Sequence, residues 1–93
     1  MILEKTTRFD EELEIIVNFI AEDSINRALI FFDELILKVK NIPDHPYMYR
    51  QRENFKDGKT RELIFKGYTI PFYIDNENNK IIILGIFNQN IWQ

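Results

Sequence analysis

The chain has 93 residues and a mass of 11.3 kDa, which is enough for one small domain and too little for two. Hydrophobic residues make up 45% of it and aromatic residues 14%, so the sequence can build a core and is not typical of a disordered segment. No apolar run approaches the roughly 18 residues of a membrane span. The absence of cysteine excludes disulfides and thiolate metal sites.

The net charge of −3 is unfavourable for a protein that binds many nucleic-acid phosphates. The first residues lack the basic, apolar and small-residue pattern of a secretory signal, so we expect a cytoplasmic protein. A single histidine leaves little scope for metal binding, and we expect neither a metal site nor a cofactor.

The first half of the sequence predicts a short strand and two helices. Residues 2–7 are a strand candidate, and Thr7 with Asp10 resembles the hydrogen-bonding pair that begins many helices. Two stripes of apolar residues at helical spacing are separated by Asp23 and Ser24, which predicts two helices joined by a two-residue turn as an antiparallel hairpin. The first stripe is Phe9, Leu13, Ile16 and Ile20, and the second is Ile25, Ala28 or Leu29, Phe32, Leu35 or Ile36, Val39 and Ile42.

The second half predicts a long connection over residues 43–60 and then three strands. The predicted strands cover residues 61–66, 68–75 and 80–87. Pro71 has no amide N–H to donate, so we expect it at a sheet edge or a bulge. The order β-α-α-β-β-β predicts an α+β fold in which residues 1–93 form one domain. An N-terminal strand and a helical hairpin accompany a mainly antiparallel sheet of three to four strands.

Both helices carry more apolar residues than one buried face needs. The extra positions are Ile15, Phe19, Ile30, Phe31 and Leu37. They predict either a wide core face beneath a sheet or a surface that docks another protein, because monomers rarely leave large apolar patches exposed. Both interpretations can hold at once.

Positive charge is concentrated in residues 50–66, where six Lys and Arg residues outnumber three Asp and Glu residues. Cations there could stabilise charge that develops on a phosphate during RNA cleavage, while a tyrosine or lysine moves the proton. The candidates for this chemistry are Lys56, Lys59, Arg61 and Tyr68. Loop solubility and ion pairs with neighbouring carboxylates explain the same pattern equally well. A lone histidine in a proline-bounded turn, such as His45, is usually a solvated loop residue.

The two helices and three later segments follow the pattern of a known family. The first helix ends in Ile20-Ala21-Glu22, the second ends before Pro43, and the later segments are Arg61-Glu62-Leu63, Gly67-Tyr68-Thr69-Ile70-Pro71-Phe72-Tyr73 and Ile82-Ile83-Leu84-Gly85-Ile86-Phe87. This ordered set, which covers almost the whole chain, resembles the RelE/ParE toxin superfamily of type II toxin–antitoxin systems. The resemblance implies a small toxin, encoded beside an antitoxin that wraps around it, with a helical hairpin on an antiparallel sheet.

The superfamily divides by mechanism. RelE-like members are ribosome-dependent mRNA endonucleases with an arginine after the Gly-Tyr of the third strand and with basic, Tyr or His residues in the C-terminal segment. ParE-like members lack these groups and poison DNA gyrase. In this sequence Thr69 follows Tyr68, and residues 88–93 contain no Arg, Lys, His or Tyr. The resemblance therefore implies the ParE-like branch, with DNA gyrase as the target.

On this hypothesis the toxin acts by binding, and it forms a hetero-oligomer with its antitoxin away from any membrane. For target contact we expect Arg61, Tyr73, Asn88, Gln89 and Trp92. For antitoxin contact we expect a sheet edge and the extra apolar positions Ile15, Phe19, Ile30, Phe31 and Leu37. Two alternatives stay open. One is an mRNA endonuclease that acts on the ribosome through Lys56, Lys59, Arg61 and Tyr68; the other is a degenerate toxin that retains only antitoxin binding.

Overall fold

Two helices and six strands, two of them only two residues long, make up the described part of the chain. The computed structural model describes residues 1–52 and 55–88. The helices are α1 (Thr7–Asp23) and α2 (Ile25–Lys40), followed by 3-10 turns at Ile42–Asp44 and Pro46–Met48. The strands are β1 (Ile2–Lys5), β2 (Arg50–Gln51), β3 (Thr60–Phe65), β4 (Tyr68–Asp75), β5 (Lys80–Ile83) and β6 (Phe87–Asn88). Neither helix in these ranges has the length and apolar character needed to cross a membrane.

The strands form one sheet in the order β1-β5-β4-β3-β2, and β6 pairs with β4. β1 runs parallel to β5, and all other pairs are antiparallel. The predicted α+β fold is confirmed, and the sheet is wider than expected because β1 joins one edge and the short β2 joins the other. One face carries buried residues that share a core with both helices: Leu63, Phe65, Ile70, Phe72, Ile74, Ile81 and Ile83. We call the opposite side the outer face of the sheet.

Helix α1 begins one residue earlier than predicted. The side-chain oxygen of Thr6, and not that of Thr7, accepts the backbone amide of Phe9 at 3.0 Å. The Thr6 hydroxyl also donates to the carbonyl of Leu84 at 3.0 Å. One side chain therefore caps the helix and joins it to the chain after β5.

The turn between the helices is a single residue, where two were expected. Ser24 ends α1 by donating its amide to the carbonyl of Ile20 at 2.9 Å. Its hydroxyl oxygen then accepts the amide of Arg27 at 3.2 Å and begins α2. A cap shared by two helices closes the hairpin with no intervening loop.

The predicted buried face of α2 is confirmed at Ala28, Leu35, Val39 and Ile42, but it is wrong at Phe32. Phe32 is 39% exposed, whereas Phe31, which was expected outside the stripe, is 6% exposed. The Phe31 ring lies 5.5 Å from both the Phe65 and Tyr68 rings. These aromatic contacts fix the rotation of α2 on the sheet. Hydrophobic spacing could not choose this rotation, because α2 is apolar on most of its sides.

The β3–β4 hairpin has the predicted two-residue turn. Both Lys66 (φ +49°) and Gly67 (φ +84°) have the left-handed backbone of a type I′ turn, which suits the twist of the flanking strands. The turn leaves β4 with the predicted bounds, residues 68–75.

The predicted strand at 80–87 is interrupted opposite Pro71. Phe72 pairs with Ile83 and Thr69 pairs with Phe87, so three residues of this strand face two residues of β4. The amide of Leu84 donates to the Pro71 carbonyl at 2.9 Å. Proline has no N–H, so it cannot donate a second hydrogen bond back to this strand. Pro71 therefore faces a bulge, which is one of the two positions predicted for it, and does not lie at a sheet edge.

A hydrogen-bonded turn at Asp57 sets the beginning of β3. One carboxylate oxygen accepts the amides of Thr60 and Lys59, each at 2.9 Å, and the other accepts the Thr60 hydroxyl at 3.1 Å. The amide of Thr60, and then that of Lys59, lower the pKa of Asp57 below its ordinary value of 3.8, because they stabilise the ionised form.

Replacement of this carboxylate should change how stability depends on pH. Because the pKa of Asp57 is lower in the folded state than in the unfolded state, its ionised carboxylate stabilises the fold. This stabilisation is complete above the unfolded-state pKa and is lost as the pH falls through the folded-state pKa. The advantage of the wild type over Asp57→Asn should therefore shrink below about pH 4, as measured by urea unfolding. Asp44→Asn, at an exposed position, is the control. An advantage that stays constant with pH would contradict this account.

Candidate functional site

Glu62 binds two of the six cations in the basic segment. One of its carboxylate oxygens accepts Nε of Arg50 at 2.6 Å, and the other accepts Nη1 of Arg52 at 3.1 Å. The carboxylate lies on the outer face of the sheet, directly across from Arg50 in the β2–β3 register. The Glu62 side chain is only 10% exposed, so the pairs are partly shielded from water. The single negative charge of Glu62 is therefore shared between the two guanidinium groups.

Arg61 holds together two turns at the other side of β3. Its Nε and Nη2 donate to the carbonyl of Gly58 at 3.1 and 3.0 Å. Its Nη1 donates to the carbonyls of Tyr49 at 2.8 Å and Tyr47 at 3.2 Å. The guanidinium also lies 5.2 Å from the centre of the Tyr47 ring. This half-buried side chain joins the turn after α2 to the turn before β3, a structural task that its sequence position did not indicate.

The candidates for RNA cleavage do not come together. Arg61 is paired with Phe72, and Tyr68 lies four residues earlier on β4, which is about 13 Å along the strand. The Tyr68 ring contacts Phe31 beneath α2. Lys56 is exposed and Lys59 is half-buried in the connection before β3. The cationic groups of Arg61 and the phenol of Tyr68 are thus separated along the sheet.

The residues expected to contact a target are also distributed over the surface. Tyr73 is half-buried on the outer face, next to Thr60 and Ile82 in neighbouring strands. Asn88 is exposed at the end of β6, across from Tyr68. Arg61 faces the helix side and is bound to backbone carbonyls. Gln89 and Trp92 lie outside the described residues.

A largely apolar groove of about 480 Å³ runs between α1 and the β4–β6 strands. Ile15 and Phe19 line its helical wall, and both are strongly exposed at 70% and 69%. The sheet wall is formed by Tyr68, Ile86, Phe87 and Asn88. At its inner end Glu12 accepts the amide of Ile86 at 3.2 Å, so the carboxylate fixes the β6 side of the groove to α1.

Three further positions of the apolar set lie on α2. Ile30 and Leu37 are exposed at 46% and 63%, as a docking surface requires. Phe31 is in the core, so its assignment to an exposed apolar surface is wrong. Sequence reasoning also missed the exposed Ile25 and Leu29, because it placed them on the buried stripe. The sheet wall of the groove gave no sequence signal, because it depends on where β6 pairs.

Within residues 1–52 and 55–88, no three His, Asp or Glu side chains are grouped closely enough to hold a metal ion. His45 is exposed between the two 3-10 turns, where its amide donates to Ile42 at 3.2 Å and its carbonyl accepts the Met48 amide at 3.1 Å. These are the bonds of an ordinary turn residue.

Comparisons with known proteins cover nearly the whole chain. The family model described as "ParE toxin of type II toxin-antitoxin system, parDE" matches residues 3–91. A solved structure described as "Chromosomal ParDE TA system from P. aeruginosa" has a TM-score of 0.76 and 20% sequence identity, over 95% of each chain. At this identity the structural likeness shows the fold alone. The curated proteins include no match.

Removal of the Arg61 side chain should lower the free energy of unfolding. Arg61→Ala leaves three carbonyls without their charged donor, and we expect a loss of about 2 kcal/mol in the free energy of unfolding, measured with urea. Lys56→Ala, at an exposed position of the neighbouring connection, is the control and should stay within about 0.5 kcal/mol of the wild type. Equal stabilities of the two variants would rule out this structural role.

Proposed function

The chain belongs to the family of ParE toxins from type II toxin–antitoxin systems, and from this premise we propose that it arrests growth by binding DNA gyrase. We also propose that an antitoxin encoded nearby neutralises it in a cytoplasmic hetero-oligomer. Growth arrest on loss of the antitoxin would let the pair stabilise a plasmid that carries it.

The arginines of residues 50–66 are bound to other groups of the protein, and this observation favours binding over RNA cleavage. Cleavage requires cations that are free to stabilise charge developing on a phosphate. Arg50 and Arg52 are paired with Glu62, and Arg61 is bound to carbonyls. Lys66 is likewise paired, with Glu34 at 3.0 Å. Four of the six cations in residues 50–66 thus have partners within the protein, which supports a toxin that acts by adhesion.

The proposed target contacts are Tyr73 and Asn88, together with Arg61, Gln89 and Trp92. Asn88 is exposed, and its amide can donate and accept hydrogen bonds without a change in the fold. The Arg61 side chain also carries the two turns, so loss of toxicity on its replacement would not separate target contact from instability. Asn88 is therefore the sharper test position.

For the antitoxin we propose the groove and the exposed apolar positions of the hairpin. Ile15 and Phe19 lie four residues apart on α1 and face the groove, as required for an amphipathic segment to dock between helix and sheet. Ile30 and Leu37 extend the apolar surface on α2. Burial of these side chains would remove from water apolar area that a chain of this size can hardly leave exposed.

Purified toxin should inhibit supercoiling of relaxed plasmid by DNA gyrase. Asn88→Ala should weaken this inhibition about tenfold, because it removes one central polar contact. Asn26→Ala, an exposed amide on α2, is the matched control and should retain inhibition. In cells, mapping of RNA 5′ ends after brief induction should show no new codon-phased cuts. Such cuts with normal supercoiling would establish the endonuclease instead, and growth without either effect would indicate a degenerate toxin.

Replacement of a groove residue should separate antitoxin binding from toxicity. Phe19→Ser removes an exposed ring, so the fold and growth arrest should persist while affinity for the product of the adjacent gene falls at least about tenfold. Met48→Ser is the control, because Met48 is 76% exposed and does not line the groove. Calorimetric titration of both variants measures the difference. Equal affinities would exclude the groove as the antitoxin surface, and the lack of an adjacent partner gene would count against the pair itself.

A further inference from the structure

Arg52 is the point at which three separate parts of the chain meet on the outer face of the sheet. Its guanidinium carbon lies 5.8 Å from the centre of the Phe55 ring and 5.3 Å from that of the Phe87 ring. Its Nη1 donates to Glu62 of β3 at 3.1 Å. The connection after β2, strand β3 and strand β6 are thus joined through one side chain.

The backbone of Arg52 is held as firmly as its side chain. Its amide donates to the carbonyl of Thr60 at 3.1 Å, and its own carbonyl accepts the amide of Phe55 at 3.0 Å. The side chain is 18% exposed, so water competes weakly for the guanidinium. A cation over an aromatic ring is attracted more strongly when it is shielded from water. The contacts with Arg52 should therefore hold the Phe55 and Phe87 rings in place.

The neighbouring Arg50 separates the ion pair from the ring contacts. It binds the other oxygen of Glu62 at the shorter distance of 2.6 Å, and its side chain is 61% exposed. The two arginines therefore have the same carboxylate as partner, while the contacts with Phe55 and Phe87 belong to Arg52. Loss of the ring contacts should therefore follow from replacement of Arg52 and not from replacement of Arg50.

β6 is separated from β5 by the bulge opposite Pro71. Among the described residues it consists of Phe87 and Asn88, which pair with Thr69 and Tyr68 of β4. The ring of Phe87 under Arg52 supplies a side-chain anchor next to Asn88.

We propose that Arg52 is a positioning residue of the toxin, whose guanidinium clamps Phe87 and thereby fixes where Asn88 meets the target. This inference rests on the proposed function for the identity of the target, although the clamp itself acts within the toxin alone. Lysine cannot replace the arginine, because a single ammonium group lacks the flat surface and the several fixed donors that contact two rings and a carboxylate together.

The test measures the clamp and its consequence separately in Arg52→Met, Arg52→Lys and the matched control Arg50→Gln. Hydrogen–deuterium exchange of a peptide covering residues 84–88 reports on β6 without any target. In both Arg52 variants this exchange should accelerate about tenfold, while Arg50→Gln should remain near wild type. Exchange in α1 and α2 should be unchanged in all three, which shows that the fold is intact.

Inhibition of gyrase supercoiling supplies the second measurement. Arg52→Met and Arg52→Lys should weaken inhibition about tenfold, while Arg50→Gln should inhibit about as strongly as the wild type. In a Phe55→Leu background Arg52→Met should cause a smaller further loss, because the two residues belong to one cluster. Faster exchange in β6 with inhibition unchanged would overturn the positioning role, and equal exchange in the Arg52 and Arg50 variants would overturn the clamp. If the wild type does not inhibit gyrase, the proposed function fails, and the exchange data still decide whether the clamp exists.

Discussion

The carboxylate of Glu62, held by a guanidinium on each oxygen, determines what the outer face of the sheet can offer to another molecule. A carboxylate so enclosed would be costly to bury alone, and two bound arginines remove that cost. Both arginines are thereby engaged within the protein. The same carboxylate orients Arg52 toward the aromatic rings of the adjacent connection and of β6. The arrangement of these two arginines and the placement of β6 therefore depend on one acidic side chain.

The helical hairpin leaves several large apolar side chains exposed. α2 has buried residues on one side and the exposed Ile25, Leu29, Ile30 and Leu37 on others. Helices that are apolar on most sides are usually enclosed by protein. Because the sheet covers only one side of the hairpin, its exposed apolar side chains are suited to contact with a partner protein. The groove beside α1 provides the concave part of that surface, and Phe87, which lines the groove, also contacts Arg52 on the outer face of the sheet.

Much of the fold could be predicted because strong local signals bracket its elements. The turn at Lys66 and Gly67 and the polar residues 76–79 define β4 to the residue, and Pro71 correctly indicated a bulge. The burial of Phe31 in place of Phe32 could not be predicted, since it depends on contacts of the Phe31 ring with Phe65 and Tyr68 across the sheet.

The candidate site was less accessible to sequence reasoning. Apolar excess on α1 identified Ile15 and Phe19, which do line a groove. The roles of Glu62 and Arg61 depend on how β2 and two turns come to lie beside β3, and these are long-range pairings without a periodic signal. Sequence shows that cations are numerous in a segment, but only their partners show whether they are available. For the same reason the importance of Arg52 was invisible among six similar charges.

The parallel pairing of β1 with β5 has a consequence for the order in which a newly made chain can mature. Ile2 is opposite Lys80 and Lys5 is opposite Ile83, and Thr6 bonds to Leu84. The first strand emerges from synthesis long before β5, its neighbour among the described strands, and such non-local pairing is slow to form. A chain that ended before residue 80 would lack β5 and would leave the β4 edge at residues 72–75 unpaired. The first strand therefore waits for its partner until residues 80–83 have been made.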